Sequence, residues 1–151
     1  MNYLRAISIG IEKYLEIFLV ELFLLAVFFS RIYTIAIMIF GFFAVIILST
    51  FIKAIVKEKR PKLAVERKEF KRVFRIELRS FPSSHSAAAA FFVGFCLNTI
   101  VFIPTLAFAL LVMWSRVYIK SHYPRDVIAG GLLGFLVGMA AANLHVLSYF
   151  V

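Results

Sequence analysis

Three short polar segments interrupt an otherwise apolar chain and contain the residues whose types and spacing could do chemistry. They are residues 53–61, 82–85 and 115–126, and each lies at the end of a long apolar run. Together they supply His85, His122, an aspartate and several Lys and Arg side chains. An imidazole can attack an electrophile or transfer a proton, and fixed cations neutralise oxyanions. Two imidazoles among cations predict a site that moves a phosphoryl group.

The first segment places two cations at a helix end. Lys53 and Arg60 are seven residues apart, so on a continuous helix they would share one face, and Pro61 would then end the helix. Two cations on one face suit a phosphate. They would equally suit the end of a membrane helix, where long basic side chains extend to the interface without any role in chemistry.

The second segment has the composition of a helix start. Pro82 suits a first turn, and Ser80 or Ser83 could cap the helix. The free backbone N–H groups beside Ser84 would then be available to an anion. His85 could donate a proton to a phosphate ester oxygen. The alternative is a capping cluster with a histidine at the membrane interface.

The third segment has the most specific spacing. Asp126 follows His122 by four residues, so its carboxylate could hold one imidazole N–H and leave the other ring nitrogen free to attack. Arg116 offers a planar donor pair for phosphate oxygens. A hydrolase with Ser83 or Ser84 as nucleophile is conceivable, but it would leave the cations without a role.

The patterns K-x6-RP, PSxH and SR-x5-H-x3-D occur in this order between Lys53 and Asp126. They resemble the three-part signature of the type 2 phosphatidic acid phosphatase superfamily. Its members include membrane lipid phosphatases, glucose-6-phosphatase and vanadium haloperoxidases. The resemblance implies that His122, oriented by Asp126, forms a phosphohistidine, and that His85 protonates the leaving group. It also implies a set of phosphate-binding residues: Lys53, Arg60, Ser83, Ser84 and Arg116.

The implied activity is that of a metal-independent phosphatase without a cofactor. Substrates in the family suggest phosphatidic acid, phosphatidylglycerol phosphate, an isoprenyl diphosphate or the 1-phosphate of lipid A. The sequence departs from the family at Ser84, where glycine is usual, and this bears on substrate preference. Two other kinds of protein remain open: a vanadate-dependent haloperoxidase-like protein and a small non-enzymatic membrane transporter.

Composition predicts an all-α, multi-pass transmembrane bundle forming a single domain over residues 1–151. The chain is 63% hydrophobic and contains 18 Phe, well above a soluble domain of this size. Apolar runs suggest spans near residues 14–29, 32–56, 85–100, 105–119 and from 126 onward, with Asn98-Thr99 and Pro104 as a break. We therefore expect about five spans, or six as is usual in the family, and no cleaved signal peptide.

Charge is concentrated in one loop. Residues 53–79 hold eleven Lys or Arg and four Glu, a net +7 of the chain's +9. Between membrane spans such a loop favours lipid phosphates as partners, and no nucleic-acid motif accompanies it. Residues 65–81 are amphipathic and predict a basic segment on the bilayer surface, either an anchor or part of the site.

If the helices alternate in direction, all three polar segments lie on one membrane face. Gly130, Gly134 and Gly138 form a smooth face that we expect to pack against Ala87–Ala90, drawing His85 toward Asp126; a homodimer through this face is the alternative. The Lys and Arg count favours a cytoplasmic site. The resemblance implies the periplasmic face of the inner (plasma) membrane, and we expect the latter.

Overall fold

The computed structural model describes residues 32–61 and 79–147, together with positions 3, 7, 8, 10, 11, 14 and 21. Its helices are α1 (Ile32–Val56), α2 (Ser84–Phe95), α3 (Phe102–Tyr118) and α4 (Pro124–Leu147). The described part holds no strand, only an isolated antiparallel bridge between Lys59 and Arg79. The all-helical prediction is therefore confirmed. Most of the predicted span 14–29 and of the basic segment 65–81 lies outside the described residues.

Helix α2 forms the centre of the bundle. Its nine residues from Ser86 to Gly94 are all buried, and it contacts α1, α3 and α4. Small alanines on the first turns let the neighbouring helices approach, and Phe91 and Phe92 then fill the space against Phe42 of α1. With 12 residues α2 is roughly 18 Å long, shorter than a bilayer core of about 30 Å.

Helix α4 packs on α2 through its glycines. A Cβ atom on Gly130, Gly134 or Gly138 would overlap backbone carbonyl oxygens of Ser83, Ala87 and Phe91. These helices therefore touch backbone to backbone, as the spacing predicted. This face of α4 is covered by α2 of the same chain, and a homodimer contact through it remains a prediction.

The outer surfaces of the bundle are apolar. Exposed side chains include Phe40, Ile47 and Phe51 on α1 and Leu132 and Leu136 on α4. Contiguous apolar surface of this extent suits lipid better than water. By length and composition two helical stretches could cross a membrane, Thr34–Val56 and Pro124–Leu144, whereas α2 and α3 are shorter apolar helices. The described residues thus do not confirm five or six spans.

Two predicted helix boundaries are wrong. Helices α2 and α3, the predicted third and fourth spans, are separated by residues 96–101, so Asn98-Thr99 lies in the break, but Pro104 lies in the first turn of α3. Proline is tolerated there because the N–H that it lacks would have no intrahelical partner. Helix α1 ends at Val56, as the span 32–56 predicted, but it does not continue to Pro61 as the Lys53–Arg60 spacing suggested, because Lys57 takes a left-handed conformation with φ 54°.

Candidate active site

The predicted site residues lie at one end of the bundle, where α1 and α3 end and α2 and α4 begin. The two helix starts are tied together by the backbone N–H of Ser83, which donates to the carbonyl of Asp126 at 2.9 Å. Ser84 and His85 are half-buried. The other predicted residues are almost wholly buried: Lys53, Arg60, Ser83, Arg116, His122 and Asp126.

The start of α2 is capped by Ser83. Its hydroxyl accepts from the backbone N–H of Ser86 at 3.4 Å and from the Ser86 hydroxyl at 2.9 Å. Pro82 precedes the cap and is buried, with a cis peptide bond after Phe81. The first-turn N–H groups of α2 and the half-buried His85 therefore face the same end of the bundle as the cations.

Lys53 connects α1 to α2. Its Nζ donates to the Ser84 hydroxyl at 2.6 Å, and that hydroxyl lies 3.1 Å from the hydroxyl of Ser49. The side chain at the position where the family usually has glycine is therefore bound to a predicted phosphate-binding cation. Ser49 was not predicted, since nothing in its apolar sequence context marks it.

The backbone places Arg60 at the site in a different way from the one predicted. The chain leaves α1 at Lys57, so Lys53 and Arg60 do not share a helix face. Arg79 holds the helix end by donating from Nη1 to the carbonyls of Lys53 and Ala54, at 2.9 and 2.6 Å. Arg60 then lies outside the helix, one residue after the bridge between Lys59 and Arg79.

The Arg60 guanidinium is fixed from two sides. Its Nε donates to the carbonyl of Arg79 at 3.3 Å, and its Nη1 donates to the hydroxyl of Ser121 at 3.2 Å. The second bond joins the first polar segment to the third, just before His122. Ser121 and Arg79 were both missed from the sequence, because no residue spacing relates them to Arg60.

Arg116 lies in the last turn of α3 and is only 1% exposed. Its side chain donates to the Ser115 hydroxyl at 3.4 Å. Its carbonyl accepts the backbone N–H groups of Ser121 and His122 at 3.0 and 3.2 Å, with Lys120 in a left-handed turn at φ 54°. The turn carrying His122 is thus folded back onto the end of α3.

The carboxylate of Asp126 faces the Nδ1 side of the His122 ring. Nδ1 lies 3.6 Å from Oδ2. Oδ2 also accepts the backbone N–H of Tyr123 at 2.9 Å and the hydroxyl of Ser80, and the Ser80 oxygen lies 3.5 Å from Nδ1. The sequence suggested Ser80 only as a helix cap, whereas it lies between the imidazole and the carboxylate.

His122 is held in its neutral form. Burial first, and then the positive charges of Arg60, Lys53 and His85, lower the pKa of His122 to about 2, while a hydrogen bond from the ring to the backbone of Ser80 opposes the shift. Charges act at this strength only over short distances in a buried site. Lys53, Arg60 and His85 therefore lie close enough to His122 to act on its charge.

The family model of the PAP2 superfamily matches residues 34–149, well over half of the chain. The chain belongs to the PAP2 superfamily. The matched region contains all the site residues named in this subsection. No solved structure matches the chain. Apolar outer helices and PAP2 membership are together compatible with a membrane protein.

The chemistry available at this end of the PAP2 chain is anion chemistry. Buried cations, first-turn N–H groups and a neutral imidazole backed by a carboxylate together suit a phosphate group. Within residues 32–61 and 79–147 and the separate positions before them, no three His, Cys, Asp or Glu side chains lie together as metal ligands would.

Proposed function

We propose that this PAP2 protein is a lipid phosphatase that removes a monoester phosphate or a terminal diphosphate phosphate from a membrane lipid through a phosphohistidine on His122. PAP2 membership supports a hydrolase acting on phosphorylated, lipid-like substrates. One arrangement carries the finer proposal: buried His122 has the Asp126 carboxylate on its Nδ1 side, while Lys53 is bonded to Ser84 beside His85 and Arg60 to Ser121 beside His122.

The first half-reaction uses His122 as the nucleophile. Its bare Nε2 attacks phosphorus in line, forming a P–N bond as the bond to the leaving oxygen breaks. Protonated His85 gives its proton to that oxygen, so the leaving group departs as an alcohol or a phosphate. Lys53, Arg60 and Arg116 neutralise the equatorial oxygens, as metal ions do in many phosphoryl-transfer enzymes.

The second half-reaction hydrolyses the phosphohistidine and regenerates the free enzyme. A water molecule attacks phosphorus, its proton passes to His85, and the P–N bond breaks to release inorganic phosphate and neutral His122. His85 therefore acts as acid and then as base, and the two histidines must start in opposite protonation states. Such a pair gives a bell-shaped dependence of rate on pH.

The substrate is proposed to be an amphiphile because the proposed phosphate site lies at the end of helices with apolar outer surfaces. Exposed side chains such as Phe51 and Ile55 lie on α1 near Lys53. Phosphatidic acid, phosphatidylglycerol phosphate, isoprenyl diphosphates and lipid A 1-phosphate all combine an apolar chain with an accessible phosphate. The proposed location is the inner membrane with the site facing outward, which a reporter fused to the C-terminus would test.

The test is release of phosphate by the purified, detergent-solubilised protein from a panel of these lipids. We expect release with at least one lipid, unaffected by EDTA, and loss of activity in His122→Ala. His145→Ala is the matched control, because His145 is 19 residues from Asp126, roughly 29 Å along α4. No release from any lipid, or full activity of His122→Ala, would contradict the proposal. Peroxide-dependent bromination instead of release would indicate a haloperoxidase.

A further inference from the structure

The hydrogen bonds of Asp126 Oδ2, the carboxylate oxygen that faces His122, leave little room for a direct bond to the imidazole. A carboxylate oxygen has two lone-pair directions. Those of Oδ2 are taken by the Ser80 hydroxyl and by the Tyr123 N–H at 2.9 Å. The His122 Nδ1 stands 3.6 Å from this oxygen and 3.5 Å from the Ser80 oxygen, both longer than an ordinary hydrogen bond, so the lone pairs still available decide between the two acceptors.

The Ser80 hydroxyl has one proton, and that proton has only one possible destination here. An ionised carboxylate can only accept, so Ser80 donates to Asp126. What remains on the Ser80 oxygen for His122 is a lone pair. The Nδ1 atom, 3.5 Å away, must then carry the hydrogen in order to interact with it. In this tautomer the other ring nitrogen, Nε2, is bare.

We propose that Ser80 is a positioning residue that links the Nδ1–H of His122 to Asp126 and thereby fixes the imidazole tautomer with a bare Nε2. This inference rests on the proposed role of His122 as nucleophile. When Nε2 bonds to phosphorus the ring becomes cationic, and the chain from Nδ1–H through Ser80 to the carboxylate stabilises that charge. Long contacts in a resting site commonly shorten at that stage.

Ser80 is held in a way that suits this role. It is fully buried, and its backbone N–H donates to the carbonyl of Glu58 at 2.8 Å. The preceding residue, Arg79, binds both the end of α1 and Arg60. The hydroxyl is therefore fixed by the same backbone that positions the phosphate-binding cations.

The direct test is ¹⁵N NMR of histidine-labelled resting protein in detergent micelles. The chain has three histidines, so substitution of each assigns its signal. We expect the Nδ1–H tautomer for His122 in the wild type and a mixture of tautomers in Ser80→Ala. An unchanged Nδ1–H signal in Ser80→Ala, or an Nε2–H tautomer in the wild type, would overturn the inference. The readout needs no substrate.

Kinetics give a second, independent test. Ser80→Ala should lower kcat by about 10- to 100-fold with little change in KM, because a wrong tautomer cannot attack. In the Asp126→Ala background, Ser80→Ala should lower kcat by less than about a further twofold, since both residues act through one chain of bonds. Ser80→Thr, which keeps the hydroxyl, should recover activity.

Controls separate this inference from the proposed function. Thr105→Ala removes a buried hydroxyl that bonds carbonyls of its own helix, about 16 Å from Arg116 along α3, and should leave kcat unchanged. Ser80 is only structural if Ser80→Ala lowers kcat in proportion to the folded fraction. The same holds if its loss of kcat is as large in the Asp126→Ala background as in the wild type. An active His122→Ala would instead contradict the proposed function.

Discussion

At the scale of single residues, the site combines a neutral histidine, the proposed nucleophile, with cations that would normally be solvated. His122 is 2% exposed and Asp126 is fully buried, yet each has named partners. Burying such groups costs stability unless they are paired, so their presence at one point argues for chemistry rather than packing.

Acid should destabilise the protein through His122. Its pKa is about 2 when folded against an ordinary value of 6.5, so between these values the unfolded chain binds the proton and the folded chain does not. Stability from this group is complete above 6.5 and falls as pH drops below it. The fall in Tm from about pH 7.5 to about pH 5 should be smaller in His122→Gln than in the wild type. Equal falls would contradict this assignment.

Removing the Lys53 charge should weaken catalysis. Methionine keeps much of the apolar stem but cannot neutralise a phosphate oxygen, so Lys53→Met should lower kcat/KM by roughly 100-fold. Lys57→Met is the matched control: Lys57 is exposed and four residues further along the chain. Phosphate release with a micellar substrate measures both. Similar losses in the two variants would indicate a general effect of charge on lipid binding.

At the scale of elements, the site depends on how closely two helices approach. The start of α2 is tied to the start of α4 by the Ser83–Asp126 backbone bond. The glycine face below this bond sets the distance between the helix axes. Packing at one end of the interface therefore positions His85 and Ser84 relative to His122.

Gly134→Ala should destabilise the protein and reduce activity, because the new methyl group would overlap the carbonyl of Ala87 in α2. Overpacking of this kind costs about 1–3 kcal/mol. In the control Gly131→Ala the methyl group would meet only the flexible end of Met113, at 2.8 Å, so its effect should be smaller. Tm in detergent measures both variants. Equal Tm values would show that the helices separate at little cost.

Sequence periodicity predicted the elements better than the loops between them. Long apolar runs placed α1 and α4 closely, and the four-residue glycine repeat predicted the α2–α4 contact. Helical periodicity failed to place Arg60, because a left-handed Lys57 ends the helix early and no sequence pattern marks that conformation. The roles of Ser80 and Ser121 depend on contacts between distant segments, which residue spacing along the chain does not encode.

At the scale of the whole molecule, the described residues separate an apolar outer surface from a buried polar end. Exposed residues such as Phe40 and Leu132 face outward, while Lys53, Arg60 and Arg116 gather with His122. A lipid lying along the apolar surface would present its phosphate to that polar end. The arrangement therefore links PAP2 membership to a substrate with an apolar tail.

The phosphoenzyme is the most direct test of the account. Rapid acid-free quenching of the reaction with ³²P-labelled lipid phosphate, followed by peptide mapping, should give an alkali-stable, acid-labile label on His122. Ser80→Ala should form it more slowly, and His122→Ala should not form it. Label on a serine or on His85, or turnover without any phosphoenzyme in the wild type, would contradict the central claim that His122 attacks phosphorus.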